Sequence, residues 1–312
     1  MTPATPENRL PVVATARARH LAELAILLVT LVWGANVVAV KAALTDMPPI
    51  LFAFVRFGIA FLVLLAVLRW REGSVGIPRR DVLPLFLLGL AGFGLYQDLW
   101  ATALGQTTAS NSALIIAATP VSTMLIAAAI GSDTLSPAKL LGACIGFSGV
   151  VTVVAATHGF GFNGASAGDL MTVGSTISWA CYVAFGAPVL RRHSPLRMAT
   201  WAIGFGCLGM LPFAAWQAAS FDSSRIHPGT VALLLFCALP AAAAANVIMF
   251  EAVKVLGPAR TILFQFLVPA FAVAMAAVFL GEAIVVGQIG GGVVIVLGIL
   301  VARSRRLGTW FG

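Results

Sequence analysis

The chain has 312 residues, of which 60% are hydrophobic and 10% charged, and a formal net charge of +8. Soluble domains carry about 25% charged residues, and a water-soluble fold of this length has no room to hide so much apolar surface. Composition therefore excludes a soluble enzyme and makes the bilayer the solvent; the excess of positive charge is a question of where the basic residues fall.

Residues 1–20 form a basic tail with Arg9, Arg17 and Arg19, and no small-residue cleavage site follows the apolar stretch that begins at Leu21, so the first helix is expected to be retained. A spanning helix needs about 20 predominantly apolar residues. Ten stretches qualify: 21–43, 50–69, 81–103, 109–130, 137–157, 168–190, 196–218, 229–252, 257–280 and 284–303. In chain order, the first carries Trp33 and Asn36 three residues apart, on one helical face, and the second carries Arg56. The third groups Tyr96, Gln97, Asp98 and Trp100; the fourth places Ser112, Ile115 and Thr119 on one face just before Pro120. The fifth has Ala138, Gly142 and Gly146 at four-residue spacing, which lets helix backbones approach closely. The glycine-rich stretch 158–167 separates the two halves. In the sixth, Ser175, Trp179 and Tyr182 share a face; the eighth holds Asn246 in an alanine-rich run and Glu251 near its end; the ninth aligns Thr261, Gln265 and Pro269; the tenth repeats the small-residue spacing with Gly287 and Gly291. A basic tail, 304–312, closes the chain.

The halves repeat. Pro120 and Pro269, Asp133 and Glu282, Gly142 and Gly291, and Gly149 and Gly298 are each 149 residues apart. Five spans per half, an odd number, would invert the second copy. With the N-terminus in the cytoplasm, 16 of the 19 Lys and Arg residues fall on the inner side and only Lys41 and Arg225 on the outer, as the positive-inside rule requires. The basic residues are thus topology determinants and not a nucleic-acid footprint. The expected fold is all-α and integral to the membrane: ten transmembrane helices as two inverted five-helix repeats, 21–157 and 168–303, with both termini cytoplasmic.

Polar and aromatic side chains within spans point inward, to partners, water or a ligand. Trp33, Asn36, Tyr96, Gln97, Thr119, Trp179, Tyr182, Asn246 and Gln265 are the candidate substrate-binding residues, against the plainer reading of core packing and helix–helix hydrogen bonds. Asp98 is the candidate coupling acid, with Arg56 as its candidate partner; Glu251 reads as an interfacial ion pair with Lys254 or Arg260. Pro120 and Pro269 are candidate hinges inside the fourth and ninth spans, because a proline removes a helix hydrogen bond and frees carbonyls. The four cysteines lie in apolar stretches and read as small hydrophobes. The four histidines lie at loops or span ends, which leaves no visible metal site. Two glycine patterns, Gly159/Gly161/Gly164 and Gly204/Gly206/Gly209, lack the strand–turn–helix setting of a nucleotide site, and no ATPase loop is present.

Trp33-Gly34-Ala35-Asn36, Lys41, Pro48-Pro49, Arg56-Phe57, Leu256-Gly257-Pro258-Ala259-Arg260, Leu267-Val268-Pro269, Leu280-Gly281-Glu282 and Gln288 together resemble the drug/metabolite transporter superfamily, in its EamA-type ten-helix branch, across residues 21–303. The resemblance implies cofactor-free export of small metabolites across a bacterial inner membrane by alternating access. Amino acids, including aromatic ones, are among the implied substrates, with nucleosides and drugs as alternatives. A lipid-modifying membrane transferase is the reading from another class, but it would need acids or histidines gathered at one membrane face. The small-residue stripes read as packing within a monomer.

Overall fold

The structure, a computed structural model, describes residues 15–103, 106, 115–158, 167–280 and 283–303. Every regular element among the described residues is helical: α1 Ala16–Ala43, α2 Pro49–Glu72, α3 Arg79–Ala103, α4 Thr119–Ala129, α5 Pro137–His158, α6 Ala167–Val189, α7 Pro195–Ala219, α8 Pro228–Leu256, α9 Pro258–Leu280 and α10 Val286–Arg303. Eight are long and apolar enough to cross a membrane; α4 and α10 are shorter apolar helices. The protein is thus a multi-pass membrane protein. The rod boundaries lie within a few residues of the apolar stretches; in the fourth, Ile115 and Ile116 are helical, a turn follows at 117–118 and α4 begins at Thr119, while 107–114 lie outside the described residues. The interrepeat stretch 159–166, both tails and Glu282 lie outside the described residues.

Local chemistry explains where the rods begin and end. Proline opens α2, α5, α7, α8 and α9, where its missing N–H is no loss and its fixed φ suits a first turn. Ser194 accepts a hydrogen bond from the Arg197 amide at the start of α7, and His227 and Thr230 form a reciprocal cap at the start of α8. Gly257, at φ +84°, turns the chain sharply between α8 and α9.

Contacts between loops define two ends of the bundle. At one end Arg197 pairs with Glu72 (2.9 Å) and donates to the carbonyls of Ser74 and Gly76, while Trp201 Nε1 donates to Val75 O (2.9 Å). There Asp81, 1% exposed, sits 3.0 Å from both Arg192 and His193, and Asp133 binds Lys139 (2.7 Å) and accepts from the Ala259 amide at the start of α9 (3.1 Å). Arg69, Arg71, Arg79, Arg80, Arg191 and Lys254 gather at this end too. At the other end Asp46 accepts from Thr230 Oγ1 (2.5 Å) beside His227, and Gln217 Oε1 accepts from the Ile50 and Leu51 amides at the start of α2. Only Lys41 and Arg225, among the described basic residues, belong to that end.

The 149-residue offset recurs in the backbone. Wide π turns interrupt α3 at Leu90–Leu95 and α8 at Leu239–Ala244, positions related by that offset. A π turn spoils one or two helical hydrogen bonds, and a side chain from another helix meets each: Ser178 Oγ donates to Ala91 O (2.9 Å) and Trp33 Nε1 donates to Ala241 O (3.0 Å). Between α5 and α10 the glycines meet in crossed pairs. A Cβ added to Gly142 would lie 2.5 Å from Gly298 O, and one added to Gly149 would lie 2.8 Å from Gly291 O. Exchanging each residue for its partner 149 positions away turns one pair into the other.

The positions of Pro120 and Pro269 inside the spans predict kinks in continuous α-helices; the helices are broken just before them instead. Pro120 lies in the first turn of α4, just after a turn at 117–118, and Pro269 follows a 3₁₀ turn at Phe264–Phe266. The helices are interrupted before the prolines, because a proline's missing N–H costs little only near the start of a regular segment.

Candidate functional site

Trp179, near the middle of α6, is the hub of an aromatic cluster. Its ring centroid lies 6.1 Å from Trp33 of α1, 5.3 Å from Tyr96 and 6.2 Å from Phe93 of α3, and 5.1 Å from Tyr182. Phe57 of α2 and Phe250 of α8 extend the cluster, 5.0 Å from Phe93 and 5.1 Å from Tyr182. Most of these pairs meet edge to face or tilted, geometries worth about 0.5–1.5 kcal/mol each beyond burial. Trp33, Tyr96 and Trp179 keep part of their surface exposed, whereas Tyr182 is fully buried and presses its ring against Gly92, where a Cβ would meet it at 2.6 Å. Tyr182 thus backs Trp179.

The helices that carry these rings, and α4 and α8 packed against them, also carry polar side chains, some with unpartnered atoms. Asn36 lies one turn beyond Trp33, and its Oδ1 is buried without a hydrogen bond. Gln97 and Asn246, both buried, each stand two residues past a π turn and are again 149 residues apart. Asn246 Nδ2 donates to Ala242 O (2.8 Å), while its Oδ1 has no partner. Thr119 is buried and donates to Ile116 O, and Gln265 is half-buried within the 3₁₀ turn of α9. Thr123 and Thr176, buried with unpartnered hydroxyls on the facing helices α4 and α6, were not singled out from sequence. Their signal was spacing: Thr123 is one turn from Thr119 and Thr176 three residues from Trp179. Buried polar groups without partners are uncommon in a finished core, and their gathering beside partly exposed aromatics is the pattern of a ligand site.

Two expected pairings are absent. Asp98 has a buried Oδ1 without a partner, but Arg56 is not within ion-pair distance. The Arg56 guanidinium instead lies over the Phe57 and Phe52 rings, 4.5 and 5.7 Å from their centroids. That leaves the charge over ring faces rather than beside an anion. Glu251 is exposed and forms no salt bridge among the described residues. Its helix turns it outward while Lys254 borders a cavity.

That cavity, about 580 Å³, opens at the basic end between the α6–α7 and α8–α9 connections, lined by Arg191, Arg192, His193, Ser194, Lys254 and Ser132 among others. It lies beside Asp133, the first-half acid that binds the start of α9. Among the described residues no cluster of three or more His, Cys, Asp or Glu side chains could hold a metal ion, and all four cysteines are free.

A probable amino-acid metabolite efflux pump of Salmonella typhimurium is 28% identical over 288 residues, covering 88% of this chain and 92% of that protein. A probable terminal-alkyne amino-acid exporter of Streptantibioticus cattleyicolor is 25% identical over 91% of this chain and 94% of its own length. An uncharacterized transporter of Archaeoglobus fulgidus is 26% identical over 89% and 96%. A solved structure at 21% identity superposes with a TM-score of 0.75 over 94% of this chain and 99% of that one, a likeness of fold. The model of the EamA-like transporter family matches residues 20–155 and again 166–304. Two matching copies, covering nearly the whole membrane portion, establish that the chain belongs to the EamA-like transporter family.

Proposed function

We propose that the protein exports small amphipathic metabolites, amino acids foremost and aromatic ones among them, across the bacterial inner membrane by alternating access. The observation that carries this reading is the Trp33–Tyr96–Trp179 cluster, partly exposed, assembled from both matched copies, with the unpartnered amide oxygens of Asn36 on the helix of Trp33 and of Asn246 on the helix that Trp33 hydrogen-bonds. Its flat faces suit an apolar or aromatic side chain, and the amides suit a polar head. The amino-acid exporter names of two relatives favour the same class.

The reading takes the chain as ten spans in two inverted repeats, with α4 and α10 completing the eight longer ones. The 149-residue offset between the π turns and the crossed glycine pairs support the inversion. The concentration of Arg and Lys at one end supports cytoplasmic termini. In this scheme the interruptions before Pro120 and Pro269 are the hinges, and α5 and α10 are scaffold. Substrate sites near the midplane beside discontinuous helices are a recurrent build of secondary transporters. Asp98, partly buried and without a salt bridge among the described residues, is the acid that would couple export to protons.

The test is counterflow of labelled amino acids in liposomes holding purified protein. Trp179→Ala and Asn36→Ala should each slow flux at least ~10-fold while the protein stays monodisperse. Undiminished flux in both would refute the site. Flux of a nucleoside or sugar in place of any amino acid would correct the substrate class. Acidification of a pyranine-loaded lumen as preloaded substrate leaves it in net efflux, lost in Asp98→Asn, is the expected sign of coupling.

A further inference from the structure

Among the described residues Arg56 has no carboxylate partner. It is the eighth residue of α2, a helix that begins at Pro49, and the residue is 7% exposed. No carboxylate among the described residues lies within 4.0 Å of it, and its Nε is buried with no hydrogen-bond partner. Its neighbours are the faces of Phe52 and Phe57, the Cys237 thiol of α8 and the Tyr96 phenol of α3. None of these carries a full negative charge at neutral pH.

A buried, unpaired guanidinium is destabilising unless something compensates it. Cation–π contacts supply part of that compensation, but they leave the planar fork of donors without the acceptor it matches best, a carboxylate. The position of the charge is informative. Tyr96, its neighbour, packs against Trp179 at 5.3 Å, so Arg56 stands one residue removed from the aromatic hub. At about 1.5 Å rise per residue, Arg56 lies about 10 Å from the Lys41/Arg225 end of the bundle. Asn36, seven residues from the end of α1, and Tyr96, seven from the end of α3, lie at about the same depth by the same rise.

We propose that Arg56 is the anchor for a carboxylate on the transported substrate. The guanidinium takes the carboxylate by paired N–H···O bonds, while the substrate's apolar part lies against Trp33, Tyr96 and Trp179. This inference rests on the amino-acid reading above and deepens it, because it ties recognition to the carboxylate rather than to the side chain. It also accounts for the lack of a counter-ion among the described residues: the anion arrives with the substrate.

The experiment uses full-length protein in liposomes and in detergent. Counterflow is measured for phenylalanine and for phenethylamine, the same skeleton without the carboxylate, with Arg56→Gln, Arg56→Lys and wild type. Thermal unfolding is recorded with and without each ligand. Arg56→Gln should raise the half-saturation concentration for phenylalanine at least ~30-fold and abolish its thermal stabilisation. Flux of phenethylamine should stay within ~3-fold of wild type, which also shows that the variant is folded. Arg56→Lys should restore part of the phenylalanine affinity. Without ligand, Arg56→Gln should unfold at the same or a higher temperature than wild type, since it removes an unpaired buried charge; a structural arginine would lower it. Unchanged phenylalanine saturation in Arg56→Gln, or equal loss for both ligands, overturns the assignment and leaves amino-acid export standing. If wild type moves a non-amino carboxylate such as phenylpyruvate but no amino acid, and Arg56→Gln loses it, the anchor stands and the amino-acid reading falls. If wild type moves only substrates without an anionic group, both fall.

Discussion

Gly291→Ala tests how α5 and α10 are held together. At Gly291 an added Cβ would lie 2.7 Å from Gly149 O, 2.7 Å from Val153 Cγ2 and 2.8 Å from Val153 N. Two of those three atoms are backbone, so no rotamer change relieves the clash and the helices must part by several tenths of an ångström. Overpacking of this kind costs about 1–3 kcal/mol, against about 0.5–1 kcal/mol gained by replacing glycine with alanine in a helix. The control is its neighbour: at Gly290 a Cβ meets nothing within 4 Å, so Gly290→Ala keeps the gain without the loss. The two variants, one residue apart, share the helix gain and should therefore differ by roughly 1–3 kcal/mol, the overpacking cost alone. Cys207 and Cys237, both buried and free, are natural reporters. A thiol-reactive dye will label them as detergent-solubilised protein unfolds on heating. Gly291→Ala should unfold several degrees below Gly290→Ala, and Gly142→Ala, whose Cβ would sit 2.5 Å from Gly298 O, should resemble Gly291→Ala. Equal unfolding temperatures for Gly290→Ala and Gly291→Ala would refute the close approach of the two backbones.

Ser178→Ala removes the hydroxyl that serves Ala91 O in the α3 π turn; a loss of about 0.6 kcal/mol, up to ~1.7, is expected for an interhelical hydrogen bond in a membrane protein, read as a lower melting temperature. An unchanged temperature would mean that the carbonyl finds another donor. Asp46, in the α1–α2 loop, is held below its ordinary value of 3.8, chiefly by the Thr230 hydrogen bond, with help from Thr45, His227 and Arg225. A depressed carboxylate stabilises the fold above its unfolded pKa and loses that contribution as pH falls through the folded value. Wild type should therefore lose stability relative to Asp46→Asn as pH drops below about 4; parallel melting curves from pH 6 to 3 would refute it.

Sequence periodicity and charge carried the architecture a long way. Apolar stretches located the rods, because in lipid a span must satisfy its own backbone and so announces its length. The aromatic residues at mid-span, Trp33 and Trp179, come together because each lies on an inward face. Gln97 and Asn246 were each singled out, and the 149-residue offset linking them was legible in the numbering. The π turns that set their direction were not, since Gly92 and Gly94 in one and Pro240 in the other share no local signature. Contacts between connections were illegible as well. Asp81 reads as a span start and His193 as a loop residue, and only the packing of α3 against the α6–α7 connection brings them to 3.0 Å. Arg56 and Asp98 looked complementary by sign, but charge alone does not fix direction, and the aromatic faces beside Arg56 took it.

A π turn is a stored residue. If the turn at Leu90–Leu95 relaxed to regular α-helix, the segment beyond it would rotate by about 100° and advance by about 1.5 Å relative to the part before. Tyr96, Gln97 and Asp98 all lie just beyond it, as Asn246 lies beyond the turn at Leu239–Ala244. One slip of register would therefore exchange which side chains of α3 face Trp179, without moving either end of the helix far. The hydrogen bonds from Ser178 and Trp33, each made from another helix to a π turn, would have to break for such a slip.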